Sequence, residues 1–285
     1  MNYNINELAL VGPEGTDILY RFFKSTSAEK ILIFIPAMGV PAGYYKLFAE
    51  QLSEVGYHVA IIELRGHGKS QYRVSHVNDF GYDNIIQQDI HTIIQHIKGR
   101  FPSLPLILGG HSLGAQLSLL YASRYTKEID QLLVIACASP LAKNFTGKQR
   151  ASVFLAPYLF SVTSKLLGYH PGKTLGFGAT ESRTLINDWS YLAKTGKFAQ
   201  GDDDFDYEGA LRLVNLKVNV FSFQTDSFAP QKAILSINEK LISATLTHHI
   251  FRDETLSFKA NHLKLEIFDF ITIENRVSKL SFSLF

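Results

Sequence analysis

Short apolar runs alternate with segments of helical periodicity over the first half of the chain. The runs are typical of buried strands and comprise Ile18–Lys24, Ile31–Ile35, His58–Leu64, Leu104–Gly109 and Leu132–Ala138. The segments between them have apolar residues three and four positions apart, which predicts helices over Tyr44–Val55, Tyr82–Ile97 and Leu113–Tyr125. Strands that alternate with helices predict an α/β fold, with a mostly parallel central sheet covered by helices on both faces.

This alternation stops at Ser139 and no clear strand–helix unit follows until about Leu213. The interrupting segment is rich in aromatic residues, and Ser152–Leu167 is apolar on nearly all sides. The alternation then resumes with the predicted elements Val218–Gln224, Gln231–Leu241, Thr245–Arg252 and His262–Ile273. A long insertion in a compact domain is usually functional. We therefore predict a single domain over residues 1–285 with an inserted, mainly helical cap at about 139–213.

The composition is that of a folded protein, with 46% hydrophobic and 19% charged residues in 285. The formal net charge is +2, and Lys and Arg form no basic run, which argues against nucleic acid as a partner. Cys137 is the single cysteine, so no intramolecular disulfide can form. The sequence has no apolar run of about 20 residues, and Met1–Glu7 lacks the apolar region of a signal peptide. We therefore expect a cytoplasmic protein without a transmembrane segment.

The stretch Gly110-His111-Ser112-Leu113-Gly114 fits the pattern G-x-S-x-G. A predicted strand precedes it and a predicted helix follows it, which is the context of a nucleophile elbow. The serine of such a turn has a strained backbone, and its hydroxyl points outward at the edge of the sheet. Gly110 and Gly114 leave room for the strand and helix to approach each other. The motif predicts Ser112 as a nucleophile.

A serine nucleophile needs a base that takes its proton and a group that orients the base. In hydrolases with a nucleophile elbow, these residues follow in the order Ser, acid, His. Asp226 comes directly after the predicted strand Val218–Gln224, at the strand end where open α/β sheets place their sites. His262 follows the last predicted strand and begins the last predicted helix. We therefore predict Asp226 as the acid and His262 as the base.

The developing oxyanion needs two backbone N–H donors. One donor of an elbow-type site belongs to the residue after the nucleophile, here Leu113. The other comes from the loop after Ile31–Ile35, where we expect Met38, because Gly39 permits an unusual backbone there. No His, Cys and Asp residues have zinc-site spacing. We expect neither a metal nor a cofactor.

With these motifs, the chain resembles serine hydrolases of the α/β-hydrolase superfamily, in the group with lysophospholipases, monoacylglycerol lipases and serine aminopeptidases. Arg65–Ser70 matches the R-G-x-G-x-S loop of that group, and Gly110–Gly114 matches its elbow. Asp226 with Pro230 matches its acid turn, and His262 matches its base. The resemblance implies the α/β-hydrolase fold and a Ser112–Asp226–His262 triad.

Further residues resemble a subgroup of that superfamily, and some positions depart from the pattern of the group, among them Pro36-Ala37, Glu63 and Ala115. Residues 37–45 and 168–177 also resemble a subgroup of bacterial α/β hydrolases. Pro36-Ala37 replaces the usual His-Gly before the oxyanion residue.

The expected activity is cofactor-free hydrolysis of small-molecule carboxylic esters with apolar acyl or alcohol groups, through an acyl-enzyme on Ser112. Thioesterases, acyltransferases and peptidases use the same acyl-enzyme, and fold and triad do not separate them. For a peptidase, Glu181 and Asp188 are candidates to bind a free amine. A ligand-binding protein of low turnover on the same scaffold is a further alternative, and the departure at Pro36-Ala37 is what suggests it.

Overall fold

A computed structural model describes residues 5–176 and 178–252. Over these residues the main sheet has eight strands in the order β1-β2-β4-β3-β5-β6-β9-β10, and β7 and β8 form a small separate sheet. The strands are β1 (Ile5–Val11), β2 (Asp17–Phe23), β3 (Lys30–Ile35), β4 (Tyr57–Glu63), β5 (Leu106–His111), β6 (Gln131–Ile135), β7 (Tyr169–Pro171), β8 (Thr180–Ser182), β9 (Lys217–Phe223) and β10 (Thr245–Phe251).

Helices connect these strands. The α-helices are α1 (Lys46–Glu54), α2 (Tyr82–Asn84), α3 (His91–Arg100), α4 (Leu113–Arg124), α5 (Gly147–Leu167), α6 (Gly172–Leu175), α7 (Arg183–Thr195), α8 (Tyr207–Leu211) and α9 (Gln231–Asn238). Short 3-10 helices cover Pro13–Gly15, Ala42–Tyr45, Thr126–Glu128 and Ala142–Asn144. The elements predicted from the sequence within the described residues begin and end within a few residues of these bounds.

Most of the main sheet is parallel. Strands β4, β3, β5, β6, β9 and β10 pair in parallel, whereas β1 with β2 and β2 with β4 pair antiparallel. Nearly every residue of β3, β4, β5 and β6 is buried, so side chains on both faces of these strands are covered. This is the pattern of a parallel sheet with helices on both faces. The predicted architecture is confirmed.

Strand β1 is an element that the sequence pattern did not predict. It pairs antiparallel with β2 at the edge of the sheet, and Leu8 and Leu10 of this strand are half-buried and pack against the core. Two half-buried apolar residues among exposed neighbours give a weak periodic signal, because an edge strand buries little surface.

The predicted helix Tyr82–Ile97 is interrupted by a π-helical turn at Ile85–Ile90. Asp89 lies in this turn and forms a buried ion pair of 2.7 Å with Arg65 of the R-G-x-G-x-S loop. The turn therefore anchors the loop that follows β4, and π-helical turns often mark such special positions.

Residues 139–213, the predicted cap segment, contain the helices α5 to α8 and the small sheet of β7 and β8. Helix α5 packs along α7, where the rings of Phe160 and Trp189 have centroids 5.8 Å apart. The segment is thus mainly helical over its described residues, and its exact limits stay a prediction. The predicted helix at 262–273, with His262, lies outside the described residues. None of the described helices has the length and hydropathy of a membrane span.

Candidate active site

The candidate nucleophile lies at the turn between β5 and α4, near the middle of the sheet. Ser112 has φ 53° and ψ −112°, a conformation that L residues rarely adopt. Its N–H donates to the carbonyl of Ile135 on β6 (2.9 Å), which fixes the turn against the neighbouring strand. The side chain is partly exposed although its neighbours His111 and Leu113 are buried. A strained, outward-facing serine between strand and helix is the geometry of a nucleophile elbow.

The two glycines of the motif are required by close contacts. A Cβ atom on Gly110 would lie 2.3 Å from the carbonyl carbon of Gly114. A Cβ atom on Gly114 would lie 2.0 Å from the backbone oxygen of Ile35, at the end of β3. Both distances are far below van der Waals contact with atoms that cannot move aside. The elbow therefore forms only with glycine at these positions.

The predicted oxyanion loop is a tight turn after β3. The N–H of Val40 donates to the carbonyl of Ala37 (3.1 Å), and Gly39 has φ 76°, which is typical of the third residue of a type II turn. Because a peptide is planar and trans, the N–H of Met38 points away from the Ala37 carbonyl and out of the turn. Leu113 is the first residue of α4, so its N–H has no acceptor within the helix. Met38, Leu113 and Ser112 all line one cavity.

Two side chains that the sequence analysis left without a role hold this loop. The hydroxyl of Tyr45 accepts from the N–H of Ala37 (3.1 Å) and is hydrogen bonded to Nδ1 of His111 (2.9 Å). Nε2 of His67 lies 3.0 Å from the N–H of Gly39. His67 belongs to the R-G-x-G-x-S loop. This loop follows β4, the neighbour of β3, and that position was the signal in the sequence that could have placed His67 next to the oxyanion loop.

His67 also contacts a carboxylate. Its Nε2 lies 3.1 Å from Oε1 of Glu181, and its Nδ1 donates to the carbonyl of Arg65 (2.8 Å). Burial opposes protonation of His67, but the charge of Glu181 and its hydrogen bond outweigh burial, so the pKa of His67 is raised. Burial likewise acts against the Glu181 charge, and His67 outweighs it, so the pKa of Glu181 is lowered. The two side chains form a buried, mutually stabilised pair.

The predicted acid lies at the carboxyl end of β9. Asp226 is only 2% exposed, and its Oδ1 accepts hydrogen bonds from the N–H groups of Phe228 (2.9 Å) and Ala229 (3.1 Å). Strand β6 separates β9 from β5, so the ends of β5 and β9 lie about 10 Å apart. The structure thus brings Met38, Ser112 and Leu113 together and places Asp226 two strands away. His262 is outside the described residues.

The cavity above Ser112 has a volume of about 430 Å³. Its apolar walls are the side chains of Met38, Leu113, Phe145, Val153, Ala156, Phe160, Trp189 and Phe228. Its polar lining comes from Ser112, Gln116, Gln149 and Ser152. Helix α5 of the cap segment supplies much of one wall. No charged side chain is among the described residues that line this cavity.

The two carboxylates considered for binding an amine do not line the cavity. Glu181 is engaged by His67 and by the N–H of Ala179 (2.8 Å). Oδ2 of Asp188 accepts from the N–H of Tyr82 (2.8 Å), and burial raises the pKa of Asp188 to about 7. Within 5–176 and 178–252, no three His, Cys, Asp or Glu side chains are grouped as metal ligands.

Comparison with known proteins gives the family of the chain. The sequence profile of the family described as "Serine aminopeptidase, S33" matches residues 26–183, which is more than half of the chain. Monoglyceride lipase of Mus musculus is 28% identical over 169 residues, which are 59% of this chain and 52% of that protein. The chain spans between 37% and 52% of the lengths of this and four similar lipases.

Solved structures share the fold. A thermostable carboxyl esterase from Bacillus coagulans in complex with glycerol superimposes with a TM-score of 0.67 at 15% identity, covering 96% of this chain and 97% of that chain. The α/β hydrolase GrgF from Penicillium sp. gives a TM-score of 0.64 at 15% identity, covering 96% of each chain. The predicted α/β-hydrolase fold is therefore confirmed. Together with the family match over residues 26–183, this shows that the protein belongs to the serine aminopeptidase S33 family of α/β hydrolases.

Proposed function

We propose that this protein is a serine hydrolase that cleaves carboxylic esters with uncharged, apolar acyl groups through an acyl-enzyme on Ser112. The observation that carries the proposal is the cavity: a strained serine at a strand–helix turn opens into apolar walls without a charged residue among the described lining. An apolar acyl chain gains about 0.8 kcal/mol for each buried methylene, whereas a charged chain entering these walls loses hydration without a partner.

In the proposed reaction, the Ser112 hydroxyl attacks the acyl carbon while the base, predicted as His262, takes its proton. The N–H groups of Leu113 and Met38 donate to the oxyanion, and the N-terminal end of α4 favours that negative charge. The alcohol leaves with the proton from the base. Water then loses a proton to the same base and attacks the acyl carbon, which releases the acid and restores Ser112.

Asp226 is the proposed partner of the base. The hydrogen bonds from Phe228 and Ala229 hold its carboxylate through Oδ1. The separation of about 10 Å between the ends of β5 and β9 leaves room for an imidazole between acid and nucleophile. In that position the carboxylate fixes the ring tautomer and stabilises the imidazolium.

The Asp226→Asn variant tests this role. An asparagine oxygen can still accept the two N–H bonds, so we expect the fold to persist while kcat falls at least about tenfold. The loss should stay below that of Ser112→Ala, because the carboxylate acts through the base. The matched control is Asp206→Asn, since Asp206 accepts the N–H of Gly209 (3.0 Å) in the same way at the start of α8. Equal rates for both variants would contradict the role of Asp226.

A paired set of substrates tests the function itself. We expect kcat/KM to rise at least about tenfold from p-nitrophenyl acetate to p-nitrophenyl octanoate, because the longer chain buries more apolar surface. The control ester has the same chain length with a terminal carboxylate, and it should react more slowly than the octanoate. Monoacylglycerols, the substrate class in the names of the lipase relatives, combine an apolar chain with an uncharged head group and should be cleaved.

The alternatives give different results in the same assay. A preference for alanine p-nitroanilide over the octanoate would favour a peptidase, although Glu181 and Asp188 are engaged away from the cavity. Saturable binding of an intact ester with no turnover would overturn the hydrolase and favour a ligand-binding protein.

A further inference from the structure

A buried pair of ionisable side chains joins the cap segment to the oxyanion loop. Glu181 comes from β8 of the cap segment and is 0% exposed, and His67 comes from the loop after β4 and is 3% exposed. Their Nε2 and Oε1 atoms are 3.1 Å apart. Neither side chain lines the cavity, so neither touches a substrate bound there.

Each end of the pair faces a backbone N–H group. Nε2 of His67 lies 3.0 Å from the N–H of Gly39, and Oε1 of Glu181 accepts from the N–H of Ala179 (2.8 Å). Nδ1 of His67 carries a proton, because it is bonded to the carbonyl of Arg65, which can only accept. The hydrogen bond to Arg65, which lies just after β4, therefore fixes the orientation of the ring. Nε2 donates to Oε1 of Glu181 when it carries a proton and accepts from the N–H of Gly39 when it does not. The pair therefore bridges two backbone segments, one in the oxyanion loop and one in the cap segment.

The contact at Gly39 bears on the shape of the oxyanion loop. The orientation of the Met38–Gly39 peptide is what distinguishes a type II turn from a type I turn. The N–H of that peptide donates to Nε2 of His67 (3.0 Å) when Nε2 carries no proton, and this bond favours the observed turn. The cap segment supports the same residue directly, since a Cβ atom on Gly39 would lie 2.7 Å from the Cα atom of Gly178.

We propose that His67 is a positioning residue for the oxyanion loop, and that Glu181 makes this positioning depend on the docked cap segment. The proposal rests on the proposed function, because it assigns Met38 of this loop as an oxyanion donor. The docked cap segment then holds the loop that carries Met38 in place, in addition to forming a wall of the cavity.

A contribution to the stability of the fold would not by itself require an ionisable pair at these two positions. Removing one partner of a buried ion pair is costly because it leaves a buried charge unpaired, whereas replacing both with apolar residues is often neutral or stabilising. The double variant His67→Leu/Glu181→Leu therefore separates the two roles. A structural pair would be replaceable in this way, and a positioning pair would not.

The experiment compares two inhibitors that share one apolar chain. A trifluoromethyl ketone forms a tetrahedral adduct with a serine and places an oxyanion in the hole, whereas the corresponding alcohol occupies the cavity without one. For the double variant we expect an inhibition constant about 10- to 100-fold higher for the ketone, because small misplacements of catalytic groups have effects of this size. The alcohol should bind as it does to wild type, and kcat for the octanoate ester should fall with KM little changed.

Three further variants complete the design. His67→Gln offers an amide oxygen to Gly39 and an amide N–H to Glu181, so it should keep ketone binding close to wild type. His67→Phe/Glu181→Gln keeps the ring volume and an acceptor for the N–H of Ala179 but removes Nε2. It should therefore behave like the double leucine variant, and it replaces that variant in the experiment if the double leucine variant does not fold. Asp188→Asn alters another buried carboxylate of the cap segment, bonded to Tyr82 (2.8 Å), and should not change the ratio of the two inhibition constants.

The outcomes are distinct. Ketone binding that is unchanged in a folded double variant would overturn the positioning role, and so would an equal loss for ketone and alcohol. A wild-type protein that binds the alcohol but forms no ketone adduct would overturn the proposed function instead.

Discussion

We expect Ser112→Ala to lose at least about 10³-fold in kcat on p-nitrophenyl octanoate, the largest effect of any substitution at the site. The alanine has no hydroxyl to attack the acyl carbon, and no acyl-enzyme can form. The oxyanion donors and the cavity remain, so binding of an apolar alcohol should be unchanged. Intact-mass spectrometry after treatment with a fluorophosphonate should show one adduct on wild type and none on the variant.

The matched control for this prediction is Ser152→Ala. Ser152 lines the same cavity from α5, and its hydroxyl donates to the carbonyl of Lys148 (3.3 Å) within that helix. This control should keep both turnover and the fluorophosphonate adduct, because it changes a cavity serine outside the elbow. An adduct that survives in Ser112→Ala would show that another residue is the nucleophile.

The Gly114→Ala substitution should have the largest effect on stability. The added Cβ atom would lie 2.0 Å from the backbone oxygen of Ile35, and it would also approach the oxygen of Pro36 at 2.5 Å. Because these are backbone atoms at the end of a central strand, the helix and the strand must move apart. We expect the free energy of unfolding to fall by more than about 3 kcal/mol, measured by urea denaturation.

Gly99→Ala is the control for the glycine substitution. Gly99 is an exposed residue of α3, and a Cβ atom there would have nothing within 4 Å. Alanine is the better helix former, so this variant should be stabilised by up to about 1 kcal/mol. Equal stability for Gly99→Ala and Gly114→Ala would mean that β3 and α4 are not in close contact.

The sequence predicted those parts of the fold that depend on local pattern. The central strands were found because their apolar runs are buried on both faces, which leaves a continuous signal. The elbow was found because the backbone of Ser112 and the close approach at Gly114 impose glycines at fixed spacing. The turn after β3 has Gly39 at positive φ, and the role of its residue Met38 as an oxyanion donor stays a prediction.

The parts that were missed depend on contacts distant in sequence. His67 and Glu181 are 114 residues apart, and neither segment alone shows that they meet. Glu181 was considered as a ligand for a substrate amine because its partner was not visible in the sequence. Tyr45 falls in a predicted helix, and its bonds to Ala37 and His111 follow only from the fold. Tertiary hydrogen bonds of this kind have no periodic pattern.

The contact between Gly39 and Gly178 has a consequence for the order of folding. The two residues lie on opposite sides of Ser112 in the sequence, and the loop that joins them must close before they meet. Contacts of large sequence separation form late, because the entropy of closing the loop opposes them. The elbow needs only neighbouring strands, so it can form earlier. A growing chain would therefore form the strained turn at Ser112 before the loop around Gly39 is in place, and the proposed acyl transfer would become possible only after the cap segment folds.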